Sequence, residues 1–279
     1  MLRRFARVCL LWLVISILSM TLVPAAFAHN TRTTTPKAQG STLALPGIDP
    51  HFIYQQLFSM VTHFQQRESG YSTEPGNGHD GFAKYWSQEM VSLLGDSGAR
   101  ARNDTFPIQG WRYRPTTTPA MNVEVTVPGI LHPEQVVVIG CHYDGMAFSS
   151  QSANDDGSGC AIELGVAKAM SEFWRANHLY PARTLRFVIF DTEEQGLFGS
   201  FHYVNSTVNG DLKNIVAMFN EEQNGIAYPL RYLGSISNPL MPFYIDMTPL
   251  KNNDLYTQQN QLSTQQQANI RQFRQLMQR

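Results

Sequence analysis

The sequence Val-Val-Val-Ile-Gly-Cys-His-Tyr-Asp occupies residues 136–144 and joins a short apolar run to a group of polar side chains. An unbroken apolar run of this kind is typical of a strand that is covered on both faces of its sheet. His142 and Asp144 follow two positions apart, so on an extended backbone they point to the same side. This spacing suits an imidazole that binds a metal and a carboxylate that orients it. Residues 136–144 therefore predict a buried strand that ends in chemically active side chains.

Further strands and helices alternate around this stretch. Apolar spacing predicts a half-buried strand at 123–127, buried strands at 185–190 and 215–219, and helices at 52–64, 81–94, 159–173, 197–204 and 258–279. Strands separated by helices indicate an α/β fold with a sheet that is largely parallel in its middle. Such sheets bind ligands at the carboxyl ends of their strands.

Two more polar groups lie at predicted strand or helix ends. Residues 154–157 read Asn-Asp-Asp-Gly and open a helix, where the acids could simply cap it and complement its dipole. Residues 191–195 read Asp-Thr-Glu-Glu-Gln and follow a buried strand. The adjacent glutamates could be surface charges, or one could be a general base beside one metal ligand.

The three motifs, taken in this order, resemble metallopeptidase family twenty-eight, which includes the bacterial leucyl-type aminopeptidases with two zinc ions. The resemblance covers roughly residues 49–279. It implies a three-layer α/β/α sandwich of the zinc exopeptidase type, with a mixed, centrally parallel sheet.

The resemblance also implies individual roles. His142 would bind one zinc ion, oriented by Asp144, and Asp155 would bridge both ions. Glu193 would be the general base, and Glu194 would bind the other zinc ion. Two cations with a nearby carboxylate can activate water and polarise the scissile carbonyl.

The fourth and fifth family elements depart from the expected pattern. Where the family has Asn-x-Asp, this chain reads Asn-Glu-Glu at 220–222, so Glu222 takes the place of the aspartate and Glu221 competes with it. The family's last ligand is a later histidine, but no histidine follows His202 here. We expect the chain to end before the last strands and helix of the fold, leaving one of the two zinc positions incomplete.

Two other expectations concern the same region of the fold. The resemblance implies that the peptide bond between Asp155 and Asp156 is cis. His79, in a Gly-rich turn, and His202, on a helix, are expected to have surface or capping roles rather than to bind metal.

The first residues indicate export. Three arginines precede an apolar run at 8–23, and Ala26-Phe27-Ala28 matches the small-x-small pattern of a signal peptidase site. We therefore expect a signal peptide at 1–28, a disordered leader at 29–47 and a zinc exopeptidase domain at 48–279. The mature protein would be secreted and would keep no stable membrane anchor.

Charge and cysteine content narrow the possible partners. Without the three leader arginines, basic residues fall from 21 to 18 against 22 acidic residues, a net charge of about −4. This balance does not favour nucleic acid or an anionic membrane surface as a partner. Cys141 and Cys160 could form a disulfide in an oxidising compartment, but buried free thiols are the favoured interpretation.

The leading functional hypothesis is a secreted zinc aminopeptidase that acts on peptide or protein N-termini. One alternative is a glutaminyl-cyclase-like acyltransferase with a single zinc ion on the same fold, and another is a non-catalytic binding module. The intact motifs at 154–157 and 193–196 favour the peptidase.

Overall fold

The structure is a computed structural model that describes residues 46–108, 115–147, 149–208 and 212–225. Its strands are β1 Arg100–Phe106, β2 Ala120–Val127, β3 His132–His142, β4 Arg183–Phe190 and β5 Ile215–Asn220. Its helices are α1 Pro50–His63, α2 His79–Leu94, α3 Ser158–Asn177 and the short α4 Phe198–His202. Among the helices in these ranges, none combines the length and the apolar composition that a membrane span needs.

The strands form one mixed sheet in the order β1-β2-β4-β3-β5. Strand β3 runs parallel to both β4 and β5, whereas β2 is antiparallel to β1 and to β4. His142 pairs with Phe190, and Gly140 pairs with Asn220, so β3, β4 and β5 end at the same edge of the sheet. The predicted mixed, centrally parallel α/β sheet is confirmed, and its parallel strands carry the polar motifs to that edge.

Both faces of β3 are covered, which explains its unbroken apolar run. Val137 and Ile139 belong to the main core, which lies between the sheet and helices α1, α2 and α3. Val136 and Val138 belong to a smaller cluster on the other face, together with Tyr203 in the turn after α4. Alternate residues of one strand thus enter two different cores, giving the α/β/α layering.

The two outer strands differ from the sequence predictions. Strand β1 was not predicted, because most of its residues are polar and exposed at the sheet edge and show no apolar alternation. Strand β5 was predicted to be buried, which is wrong: Met218 is 51% exposed, and in the described part of the chain β5 pairs only with β3. The predicted signal peptide, all but the end of the predicted leader and the predicted helix at 258–279 lie outside the described residues.

Candidate metal centre

His142 is buried at the end of β3, and three carboxylates surround its ring. Its Nε2 lies 2.8 Å from Oδ1 of Asp155 and 3.7 Å from Oε1 of Glu222. Its Nδ1 lies 3.3 Å from Oδ1 of Asp144, an ion-pair distance at which hydrogen-bond geometry is not met. The ends of β3 and β5 and the turn before α3 thus contribute side chains to one cluster.

Asp144 connects this cluster to the turn after β4. The backbone N–H of Glu193 donates to its Oδ1 at 3.0 Å, and that of Glu194 donates to its Oδ2 at 3.2 Å. Asp144 itself is fully buried, and the two hydrogen bonds that it accepts are part-buried. One carboxylate therefore lies against the imidazole of His142 and also fixes the two glutamates beside it.

The turn Ala153–Gly157 places two adjacent aspartates at the start of α3. The peptide bond between Asp155 and Asp156 is cis, as the sequence resemblance implied. Asp156 Oδ1 accepts hydrogen bonds from the backbone N–H groups of Gly159 and Gln223, while its buried Oδ2 has no hydrogen-bond partner among the described residues. The Gln223 side chain donates to Oδ2 of Asp155 at 2.9 Å. Asp156 thus caps the helix with one oxygen and leaves the other available for a ligand.

Arg67 supports these turns from the protein interior. Its guanidinium is buried and donates to the carbonyl oxygens of Phe64, Tyr143, Gln151 and Ser152 at 2.8–3.2 Å. Burial lowers the pKa of Arg67 to about 10, although the charges of Asp144 and Asp156 oppose that change. Arg67 therefore remains a cation at neutral pH and holds the backbone on both sides of the cluster.

Cys141 and Cys160 form a disulfide, so the favoured prediction of two free thiols is wrong. Cys141 precedes His142 on β3, and Cys160 lies in the first turn of α3. Their Cα atoms are 5.5 Å apart, within the usual range for a disulfide. The sequence alone could not reveal this pairing, because it depends on how α3 packs against β3.

The site has an excess of negative charge that a cation would relieve. Burial raises the pKa of Glu194 to about 7, with Asp155 and Asp144 adding to the shift. Burial also raises the pKa values of Glu193 and of Asp156. Although burial alone would lower the pKa of His142, the surrounding carboxylates raise it well above its usual value.

The donor set fits a zinc ion. Ligand atoms of His142, Asp156 and Glu222 all lie within 4.8 Å of one another. An imidazole with carboxylates is a ligand set that zinc accepts, and the unpartnered Asp156 Oδ2 needs a partner. Glu222, rather than Glu221, faces His142; the Glu221 side chain is buried and accepts a hydrogen bond from Asn224. Asp156 is the member of the cluster that the sequence analysis missed, because its position before a helix also suits a cap.

Two further histidines, His79 and His202, do not belong to the cluster around His142. His202 is partly buried, with its Nε2 3.2 Å from Asp104 Oδ1 and its ring stacked on Phe106. His79 is 1% exposed and its ring lies beside Asp191, so the predicted surface or capping role is wrong for this residue. His79 and Asp191 are 112 positions apart in the chain, so no local sequence pattern could predict their contact.

The α/β fold described above is also the fold of a solved zinc aminopeptidase and of a solved glutaminyl cyclase. A glutaminyl cyclase from an Acidobacteriales bacterium is 19% identical, with a TM-score of 0.53 over 69% of this chain and 64% of that one. BSAP, a zinc aminopeptidase from Bacillus subtilis, is 14% identical, with a TM-score of 0.52 over 65% of this chain and 71% of that one.

The sequence identifies the family. The sequence model of Peptidase family M28 matches residues 122–275, more than half of the chain, and the protein belongs to this metallopeptidase family. Aminopeptidase YwaD of Bacillus subtilis is 34% identical over 99 residues, which are 36% of this chain and 20% of that protein. The chain thus spans about a fifth of the length of curated relatives such as this one.

Proposed function

We propose that this protein is a secreted zinc-dependent aminopeptidase that removes residues from the N-termini of peptides or proteins. The observation that carries the proposal is the convergence of His142, Asp155, Asp156 and Glu222, with the Glu193–Glu194 turn hydrogen-bonded to Asp144 beside them. Family membership and the aminopeptidase relatives support the same reaction class.

The proposed roles combine the contacts of the described residues with the roles that the family resemblance implies. His142, Asp156 and Glu222 would hold one zinc ion together with Asp155, which lies 2.8 Å from His142 Nε2. Glu194 with Asp155 would contribute to a second position. Bound zinc supplies Lewis-acid activation of water and of the scissile carbonyl. Asp144, whose Oδ1 lies 3.3 Å from Nδ1 of His142, would orient the ring of that ligand.

Glu193 is the proposed general base. Its backbone is fixed by Asp144, and burial raises the pKa of its carboxyl, which strengthens the carboxylate as a proton acceptor. In the proposed reaction Glu193 takes a proton from the attacking water and passes it to the nitrogen of the departing amine. One residue then serves as base and as acid in successive steps.

Export is part of the proposal. The basic and apolar pattern at 1–28 favours a cleaved signal peptide, and the Cys141–Cys160 disulfide supports an oxidising compartment. Secretion would be tested by measuring the N-terminal residue and the location of the mature protein in the native host.

The experiment that tests the activity combines metal analysis with turnover. Purified protein is loaded with zinc and assayed on a panel of aminoacyl-nitroanilides and on an N-terminal glutaminyl peptide. Glu193→Gln is the active-site variant, and Glu134→Gln, an exposed residue near the start of β3, is the matched control. Zinc-dependent release of nitroaniline that is lost only in Glu193→Gln supports the proposal. Cyclisation of the glutaminyl peptide without nitroanilide hydrolysis would favour the cyclase, and zinc binding without either reaction would favour a binding module.

A further inference from the structure

His79 is a buried histidine outside the metal cluster, and its ring contacts two carboxylates. It is the first residue of α2, and its backbone N–H is capped by the Asn77 side chain. Its Nδ1 lies 2.8 Å from Oδ1 of Asp80, whose side chain is largely exposed, and its Nε2 lies 2.9 Å from Oδ1 of the fully buried Asp191. Only the Nε2 contact reaches into the protein.

Asp191 is the residue that opens the turn carrying Glu193 and Glu194. Its Oδ1 also accepts the backbone N–H of Thr192 at 2.7 Å, and its Oδ2 accepts that of Met121 at 2.7 Å. The Asp191 carboxylate therefore ties the turn to β2, while His79 ties it to α2.

The backbone of this turn needs such restraints. Thr192 has a φ of 59°, a conformation that a β-branched residue adopts only when its surroundings impose it. Thr192 is fully buried and immediately precedes Glu193. If Asp191 shifted, the position of the Glu193 carboxyl would shift with it.

His79 also touches the other half of the site. Its ring centroid lies 4.5 Å from that of Tyr143, which stands between His142 and Asp144. The Tyr143 hydroxyl donates to the carbonyl oxygen of Met121 at 2.7 Å. His79 is thus packed between the segment that follows β3 and the turn that follows β4.

We propose that His79 is a positioning residue for the proposed peptidase reaction. Through its Nε2 contact with Asp191, it holds the Glu193–Glu194 turn at a fixed position relative to His142. This inference rests on the proposed function for its effect on turnover. Burial alone would lower the pKa of His79, but Asp191 and Asp80 raise it to about 10, so the ring is an imidazolium that donates to both carboxylates. The Nε2 contact places a charge-assisted hydrogen bond directly behind the turn.

A matched pair of amide variants separates the two contacts of the ring. In His79→Gln, the amide nitrogen can take the place of Nε2 and donate to Asp191. In His79→Asn, the shorter side chain can take the place of Nδ1 and reach Asp80, but not Asp191. Both variants lose the positive charge and the aromatic contact with Tyr143, so the contact with Asp191 is the main difference between them.

Two readouts are measured on the folded, full-length protein. The first is kcat and KM for nitroanilide hydrolysis with zinc content held equal. The second is hydrogen exchange of the Thr192, Glu193 and Glu194 backbone amides in the metal-free protein, which does not depend on activity. We expect His79→Asn to lower kcat by about 10- to 100-fold with little change in KM, and to speed exchange of these amides, while His79→Gln stays close to wild type.

The outcomes distinguish this inference from the proposed function. If the wild-type protein hydrolyses no substrate but the amides exchange faster only in His79→Asn, the positioning role stands and the peptidase proposal fails. If activity is present and the two variants match each other in both kcat and exchange, His79 only stabilises the fold and the inference is overturned. Should His79→Asn prove too unstable to purify, loss of kcat and faster exchange in His79→Gln would also overturn it, because that variant keeps the Asp191 contact.

Discussion

Replacing Asp144 with asparagine would measure how strongly one buried carboxylate controls the metal centre. Asp144 accepts hydrogen bonds from the amides of Glu193 and Glu194, at 3.0 and 3.2 Å, and lies 3.3 Å from His142 Nδ1. Asparagine has one side-chain oxygen instead of two, so at least one of the two backbone hydrogen bonds to the charged carboxylate is lost. The NH₂ group that replaces the second oxygen would then face a backbone N–H group, which is also a donor. A hydrogen bond of this kind contributes about 1.5–3 kcal/mol, so the free energy of unfolding should fall by about 2–3 kcal/mol.

The same substitution should weaken metal binding. A carboxylate that orients a ligating histidine typically changes metal affinity by about 10- to 100-fold when it is removed. We therefore expect zinc affinity to fall by that factor in Asp144→Asn. Competition titration against a chromophoric chelator measures the affinity, and urea unfolding of the metal-free protein measures the stability.

Asp104→Asn is the matched control, because Asp104 also pairs with a histidine, His202, but outside the metal cluster. It should leave zinc affinity unchanged. If Asp144→Asn binds zinc as tightly as the wild-type protein, the assignment of Asp144 as the residue that orients His142 is wrong.

Three further predictions concern catalysis, pH and the disulfide. Glu193→Gln should lower kcat by at least about 100-fold while zinc still binds, because an amide cannot accept the proton; normal turnover would remove Glu193 from the role of base. The pKa of His79 is raised from 6.5 to about 10, so its contribution to stability is complete below pH 6.5 and is lost as pH rises towards 10. The difference in unfolding free energy between wild type and His79→Gln should therefore shrink across that window, and a constant difference would contradict the ion pair. The double variant Cys141→Ala/Cys160→Ala should lose about 3 kcal/mol of unfolding free energy, since the cysteines are 19 positions apart; equal urea midpoints with and without the disulfide would refute this.

The sequence predicted those parts of the fold whose burial leaves a local pattern. Strand β3 and strand β4 are covered on both faces, so each appears as an apolar run, and the polar residues that follow them mark the sheet edge. Strand β1 leaves no such pattern, because its exposed edge position permits polar residues throughout. The apolar residues of β5 suggested burial, but β5 is the last strand of the sheet among the described residues, and most of its residues are at least partly exposed.

The parts of the site that sequence analysis missed depend on contacts between distant segments. The pairing of His79 with Asp191 and that of Cys141 with Cys160 arise only when helices pack against the sheet. Asp156 is a different case, because a helix cap and a metal ligand use the same residue type at the same position. The sequence also could not show whether Glu221 or Glu222 faces His142. Adjacent side chains at the end of a strand point in opposite directions, and only the structure shows which one points towards the site.

The Cys141–Cys160 disulfide affects the order in which the metal centre can be assembled. It closes a ring in the chain that contains His142, Asp155 and Asp156. In an oxidised but unfolded chain, this short ring keeps the three side chains at high effective concentration relative to one another. A zinc ion could then be held by His142 and the aspartates before the sheet has formed, and Glu222, which lies outside the ring, would be added when β5 pairs with β3. With the disulfide formed, metal binding by the residues inside the ring would not require the sheet. Binding by Glu222 would require that β5 has already paired with β3.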